Sequence, residues 1–180
     1  MTSSRPSWDI TRIPAQSFSQ DAPSEAGDVR ALVRVFDEAS DLVVSLIYSH
    51  NLLQYLAEMV HEVRPGLNQL TITMHQVCIF AELEHDGANS PEGIHQDGSD
   101  YIVSALVIER DGILGGESIV YGPDRKTEYL RHTLSPGQGL FQADKNTTLW
   151  HYVTPIREDP ATLPTYGKRS ILGFDIDVTQ

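Results

Sequence analysis

From Leu70 onward, apolar residues recur at every second position in short runs cut by turns, and no other pattern in the chain restricts its fold so strongly. Leu70, Ile72 and Met74 alternate with Thr71, Thr73 and His75, the signature of a half-buried strand, which the pattern carries to about residue 81. Further strands are expected over residues 101–109, 116–121, 127–134, 139–142, 148–154 and 169–178. Asp111-Gly112, Gly122-Pro123-Asp124 and Ser135-Pro136-Gly137 supply turns between them, and a polar loop with Pro160 and Pro164 precedes the last strand. Short strands in this number, with no helices alternating between them, fit an antiparallel sandwich or jelly roll.

Upstream of this region the periodicity changes. Residues 1–27 are rich in Ser, Pro, Gln and Asp and read as a surface arm. Ala31, Leu32, Val33, Val35 and Phe36 form an apolar stretch read as a strand, with the first turns of a helix as the alternative. Over residues 41–63, Leu42, Leu46, Leu52, Leu53, Leu56, Met59, Val60 and Val63 recur mostly three or four apart, as on one helical face. Ser49-His50-Asn51 offers a break with a fresh N-cap, and Pro65-Gly66 stops the segment. The expected organisation is an arm at 1–27 followed by one mainly β domain at 28–180, with helices at about 41–63.

Composition removes several function classes. A net charge of −12 opposes a nucleic-acid or anionic-membrane partner, because phosphate surfaces need a basic face. Cys78 is the only cysteine, so there is no intrachain disulfide and too few thiolates for a cysteine-based zinc site. Met1-Thr2-Ser3-Ser4-Arg5-Pro6 lacks the apolar core of a signal peptide, and no run approaches the roughly 20 apolar residues of a membrane helix. A soluble cytoplasmic protein is expected, with a homodimer left open.

Three local features carry chemistry. In Pro91-Glu92-Gly93-Ile94-His95-Gln96-Asp97-Gly98, an imidazole and a carboxylate two residues apart point to the same side of an extended backbone. Taken alone, the tripeptide reads more readily as a solvated turn. His151 shares a strand face with Leu149 and Val153, where a neutral histidine bonded to a carbonyl is the ordinary alternative. Arg169 opens the last strand and shares a face with Ile171, Gly173 and Asp175. It either reaches solvent or turns inward, where its planar fork would grip a carboxylate; Lys168 is the rival anchor. Two imidazoles and one carboxylate form the facial triad of non-haem Fe(II) sites, which leaves three metal positions open.

In chain order, His95-x-Asp97, the Gly115-Gly116-Glu117 that opens the middle strand, the distal His151 and the late Arg169 form a set. That set resembles the Fe(II)/2-oxoglutarate-dependent dioxygenases built on a double-stranded β-helix, a cupin-like jelly roll. More narrowly, Met74-His75-Gln76-Val77, Ile94-His95-Gln96-Asp97, His151-Tyr152-Val153-Thr154-Pro155 and Lys168-Arg169-Ser170-Ile171-Leu172 are similar to stretches of the bacterial 2OG-Fe dioxygenase family of free amino-acid hydroxylases that includes L-isoleucine 4-hydroxylase. The resemblance covers about residues 28–178. It departs where the region before the helices is shorter, and where Ile171 stands in place of the Ser found in many relatives.

The resemblance implies a mainly β fold with N-terminal helices, and His95, Asp97 and His151 as catalytic iron ligands. Arg169 would hold the distal carboxylate of 2-oxoglutarate. The implied cofactors are Fe(II), 2-oxoglutarate and O2, with ascorbate as the reductant in vitro. The implied reaction oxidises an unactivated C–H bond of a free amino acid or amino-acid-like small molecule, with succinate and CO2 as co-products. Hydroxylation leads, and desaturation or cyclisation stays open. A substrate carboxylate needs a cationic or polar partner, for which His75, Gln76, Arg34 and Arg30 are the candidates; Asp100 is the candidate for an ammonium. Trp150, Tyr152 and Tyr121 read as packing residues. The alternatives are a cupin-like metal-binding protein or isomerase without 2-oxoglutarate, and a non-catalytic β-sandwich.

Overall fold

The structure, a computed structural model, describes residues 8–14, 37–49, 51–82, 85–162 and 166–179. Its helices are α1 (Asp41–Ser49) and α2 (Leu52–Val63). The strands are β1 (Gln69–Glu82), β2 (Tyr101–Asp111), β3 (Ile113–Gly115), β4 (Ser118–Tyr121), β5 (Glu128–His132), β6 (Gly139–Ala143), β7 (Trp150–Val153), β8 (Ile156–Glu158) and β9 (Tyr166–Thr179). The strand expected at 31–36, with Arg30 and Arg34, lies outside the described residues, as does most of the arm at 1–27. No described helix is long and apolar enough to cross a membrane.

The chain divides into two compact units. Among the described residues, the first holds 8–14, 37–49, 51–71 and 178–179. Its helical stretch is broken where the Ser-His-Asn run suggested, but not by a side-chain cap. Asn51 takes a left-handed backbone (φ 52°), a conformation asparagine tolerates, and its side chain makes no capping hydrogen bond. The break frees α2 to bury Leu56, Ala57 and Val60 on one face. Arg64 N closes on Val60 O, and Gly66 turns the chain away at φ 89°. Trp8 is tied to α2 through its backbone: its N–H donates to Gln54 Oε1 (3.2 Å), and its carbonyl accepts from Gln54 Nε2.

The second unit holds described residues 72–82, 85–162 and 166–177. Its sheets run β1-β9-β2-β6, β5-β4-β7 and β3-β8, and the pairs β2–β6, β2–β9, β3–β8, β4–β5 and β4–β7 are antiparallel. This is the jelly roll, or double-stranded β-helix, that the period-two pattern and the resemblance predict. Register shifts along β2 mark bulges that bend the long central strand. Ile102, Val103, Ala105 and Val107 of β2, Ile119 and Val120 of β4, Val153, Ile156, and Leu172, Phe174 and Ile176 of β9 are buried. Each fully buried aliphatic side chain contributes roughly 1.5–3 kcal/mol.

Two details differ from expectation. The middle strand starts at Ser118 rather than residue 116, because Gly115 and Gly116 both take positive φ (79° and 66°) and form a kink. The loop before the last strand contains β8, whose Ile156 pairs with Gly115. Three-residue strands are too short to show a period, and Pro155 immediately before β8 reads as a break.

Candidate metal centre

β4 is fully buried and carries β7 at its side, with Val120 opposite His151. The Pro91-to-Gly98 segment joins the far side of β7 through one isolated bridge. His95 N donates to His151 O and His151 N to His95 O, both at 3.0 Å. An antiparallel pair of this kind puts both side chains on one face. The two imidazole rings meet edge-on at 4.2 Å between centroids. Period two then delivers Asp97 to the same face. Its Oδ1 is 3.4 Å from His95 Nε2, and its Oδ2 is 3.3 Å from His151 Nε2. One ligand atom from each of His95, Asp97 and His151 lies within 4.8 Å of the others. Both histidines are buried, so this is no surface cluster.

The ring of His95 is oriented from behind. His95 Nδ1 is 2.8 Å from the Gly93 carbonyl, which can only accept; Nδ1 therefore carries a proton and Nε2 faces Asp97. Behind His151 stands Asp144, fully buried, with Oδ1 3.8 Å from His151 Nδ1. Asp144 Oδ2 accepts from Gly98 N at 2.7 Å. Gln96, between the two ligand positions, donates to the carbonyls of Asp144 (3.0 Å) and Leu149 (2.8 Å), tying the approach to β7 against the motif.

The electrostatics match the geometry. Burial alone would lower His95, but hydrogen bonds to Asp97 and Glu92 outweigh it and lift its pKa to about 10; Glu92 Oε1 lies 2.8 Å from Nε2. Burial pushes Asp97 up, yet hydrogen bonds from His151 and His95 hold it well below the usual carboxylate range. Asp97 is thus a firm anion. Asp144 is pushed upward by burial.

Arg169 is fully buried. Its Nη1 donates to Asn89 Oδ1 at 2.7 Å, while Nε and Nη2 are buried with no hydrogen-bond partner. Burial, and then the charge of Arg110, lowers its pKa to about 10. The rival anchor Lys168 is instead held by Glu109 at 2.6 Å. Of the substrate candidates, His75 Nε2 is 2.9 Å from Asp175 Oδ2, and Asp175 senses the charge of Asp97. Gln76 is exposed on β1, and Asp100 pairs with Lys145 at 3.2 Å. Trp150 carries the Arg125 guanidinium 3.4 Å over its ring. A cavity of about 340 Å³ is lined by Ser118, Leu130, His132, Leu134 and Leu140. Ser118 stands two residues before Val120 and so shares the face of His151.

Sequence reasoning missed Asn89, Glu92, Arg110 and Asp144 as members of these clusters. Glu92 sits inside the motif that drew attention, but the others lack any local signal: Arg110 looks like the solvated end of a strand, and Asn89 and Asp144 look like loop residues.

The profile of the 2OG-Fe dioxygenase family matches residues 2–175. No curated protein matches the chain. Among solved structures, a bsmA homolog from Methylobium petroleophilum PM1 superposes with a TM-score of 0.70 at 23% identity, over 91% of this chain and 64% of that one. IDO from Bacillus thuringiensis gives 0.66 at 18% identity, over 81% and 63%. The Fe(II)/(alpha)ketoglutarate-dependent dioxygenase TqaL gives 0.62 at 17% identity, over 81% and 59%. At these identities the likeness is one of fold. The chain matches about three-fifths of the length of each of these structures.

Proposed function

The chain belongs to the 2OG-Fe dioxygenase family, and from that premise we propose that it is an Fe(II)/2-oxoglutarate-dependent dioxygenase whose iron is held by His95, Asp97 and His151. The observation that carries this is the convergence of the three ligand atoms within 4.8 Å on one buried face. Two imidazole nitrogens, with His95 giving up its Nε2 proton when a metal binds, and one carboxylate oxygen suit Fe(II) and leave room for co-substrates. Arg169 is the residue for the distal carboxylate of 2-oxoglutarate, since its unpaired Nε and Nη2 form one edge of a guanidinium fork. When bound, iron, 2-oxoglutarate and O2 supply an oxidant able to attack an unactivated C–H bond, with succinate and CO2 as co-products.

The chain's own groups do the rest. Gly93 fixes the proton of His95 on Nδ1 and directs Nε2 to the metal position. Asp97 stays ionised and brings its charge to the same point. Gln96 braces the strap that leads into His151 through the carbonyls of Asp144 and Leu149. Burial keeps bulk water from both imidazoles.

We take the substrate to be a free amino acid or an amino-acid-like small molecule, with hydroxylation as the outcome. The cavity of about 340 Å³ is of small-molecule size. The His75–Asp175 pair offers polar side-chain atoms for a substrate, and Asp175 lies close enough to Asp97 to feel its charge. In this reading residues 28–180 are the catalytic domain and 1–27 an arm before it. The test is a library of amino acids incubated with protein, Fe(II), ascorbate, 2-oxoglutarate and O2. A member that raises succinate formation and gains one oxygen by mass is expected. Succinate formation that no library member alters would reject the amino-acid assignment.

A further inference from the structure

We propose that Arg110 is a second co-substrate-binding residue, donating to the same distal carboxylate of 2-oxoglutarate as Arg169. The inference rests on the reading of 2-oxoglutarate as co-substrate.

The two arginines are register partners, Arg110 on β2 and Arg169 on β9. Cross-strand partners project to one side of a sheet, so the two guanidiniums enter the same space. Gly116 shows how close they come. The point where a Cβ on Gly116 would sit is 3.0 Å from Arg110 Nη1 and 3.2 Å from Arg169 Cδ. A bare glycine therefore lies against both side chains. Arg110 Nη2 donates to the Gly115 carbonyl at 2.7 Å, which fixes the head group, while Nη1 is buried with no partner. With Nε and Nη2 of Arg169, three buried N–H-bearing nitrogens of two cations are uncommitted.

No carboxylate among the described residues forms an ion pair with either arginine, and nearby acids are engaged elsewhere. Glu109 binds Lys168 at 2.6 Å, and Glu117 binds Arg131 at 2.7 Å. Arg169 has only the neutral Asn89 amide oxygen. Like charges repel, and the fully buried Arg169 and the half-buried Arg110 each carry a desolvation cost that polar but neutral partners do not repay. An anion between them reverses both penalties. A carboxylate has the right capacity: two oxygens with about four lone-pair directions, enough for two donors from one arginine and one from another. The Arg169 edge is the bidentate clamp, and Arg110 Nη1 is the single donor that closes it. A 2-oxo acid with no distal carboxylate gains nothing from either residue, so the pair also sets co-substrate specificity.

The test uses the full chain loaded with Co(II), which binds without turnover, and calorimetric titration with 2-oxoglutarate and with 2-oxovalerate, which lacks the distal carboxylate. Arg110→Gln is expected to weaken 2-oxoglutarate about tenfold or more, the loss of one charge-assisted hydrogen bond. Its affinities for 2-oxovalerate and for Co(II) are expected to stay at wild-type values. Equal 2-oxoglutarate affinity in wild type and Arg110→Gln overturns the proposal. Parallel loss of both 2-oxo acids also overturns it, because Arg110 would then act through the shape of the site. If Arg110→Gln does not take up Co(II), Arg110→Lys decides. It supports the proposal if 2-oxoglutarate alone is weakened, by about threefold or more given the lost fork geometry, and overturns it if 2-oxoglutarate is unaffected. Failure of the Co(II)-loaded wild type to bind 2-oxoglutarate would instead reject the co-substrate reading, and this inference with it.

Discussion

The His95–Asp97–His151 cluster and the Arg110–Arg169 pair lie in the same β unit and solve opposite electrostatic problems. In the first, Asp97 stands between two imidazoles and is held ionised by both, so the charges compensate one another. In the second, two arginine side chains lie against the same bare glycine, and burial and then the charge of Arg110 lower the pKa of Arg169. The contrast separates two kinds of preorganisation. A metal position can be assembled from groups that also stabilise one another. A site for an anion must hold its cations apart from internal partners, at a cost in stability that only a ligand recovers.

That comparison breaks most visibly at the carboxylate. Asp97→Ala is expected to abolish Co(II) uptake in equilibrium dialysis; retained uptake would remove Asp97 from the ligand set. Next comes Arg169→Met. It is expected to weaken 2-oxoglutarate by about 30-fold or more, the scale of truncating one partner of a buried charge pair, with Co(II) uptake unchanged. The same substitution should raise the urea-unfolding stability of the metal-free protein by about 1–4 kcal/mol, because a buried unpaired charge is replaced by an apolar chain of similar volume. A destabilised Arg169→Met protein would mean that the arginine end is structural and that the contrast is false.

Two smaller effects sharpen it. Asp144→Asn keeps the shape behind His151 but removes the charge, and should lower Co(II) affinity about 10–100-fold while leaving a carboxylate at the arginine pair unaffected. Gly116→Ala should cost about 1–3 kcal/mol, because φ 66° suits only glycine well. It should also weaken 2-oxoglutarate a few-fold, since the new methyl would press on Arg110 Nη1 and Arg169 Cδ. A Gly116→Ala protein with wild-type 2-oxoglutarate affinity would separate the kink from the anion pocket.

The parts of the fold and site that the sequence makes legible are the local ones. Period-two alternation marks the start of β1, where Leu70, Ile72 and Met74 are more buried than their neighbours, and the middle of β9, where Leu172, Phe174 and Ile176 are buried; elsewhere in each strand the buried face switches. His95 and Asp97 are readable as a pair because two-residue spacing alone puts them on one face, and His151 because a polar ring interrupts an apolar strand. What stays hidden depends on partners distant in sequence. The bulges of β2 set which residue meets Arg169, and no periodicity announces that Arg110 is the one. Arg169 is recognisable as a basic residue near the start of the last strand, but no local signal announces its complete burial beside Gly116 and Asn89. β3 and β8 are three residues each, and their pairing is defined only by each other. Asp144 gains its place from Gly98, 46 residues earlier.

The central claim is that His95, Asp97 and His151 hold Fe(II) together with 2-oxoglutarate. Anaerobic addition of Fe(II) and then 2-oxoglutarate to the intact protein tests it most directly. The account predicts a weak visible charge-transfer band that needs both additions and is abolished in His151→Ala. No band from the wild-type protein, under conditions where a control dioxygenase gives one, would contradict the account. Persistence of the band in His151→Ala would remove His151 from the ligand set.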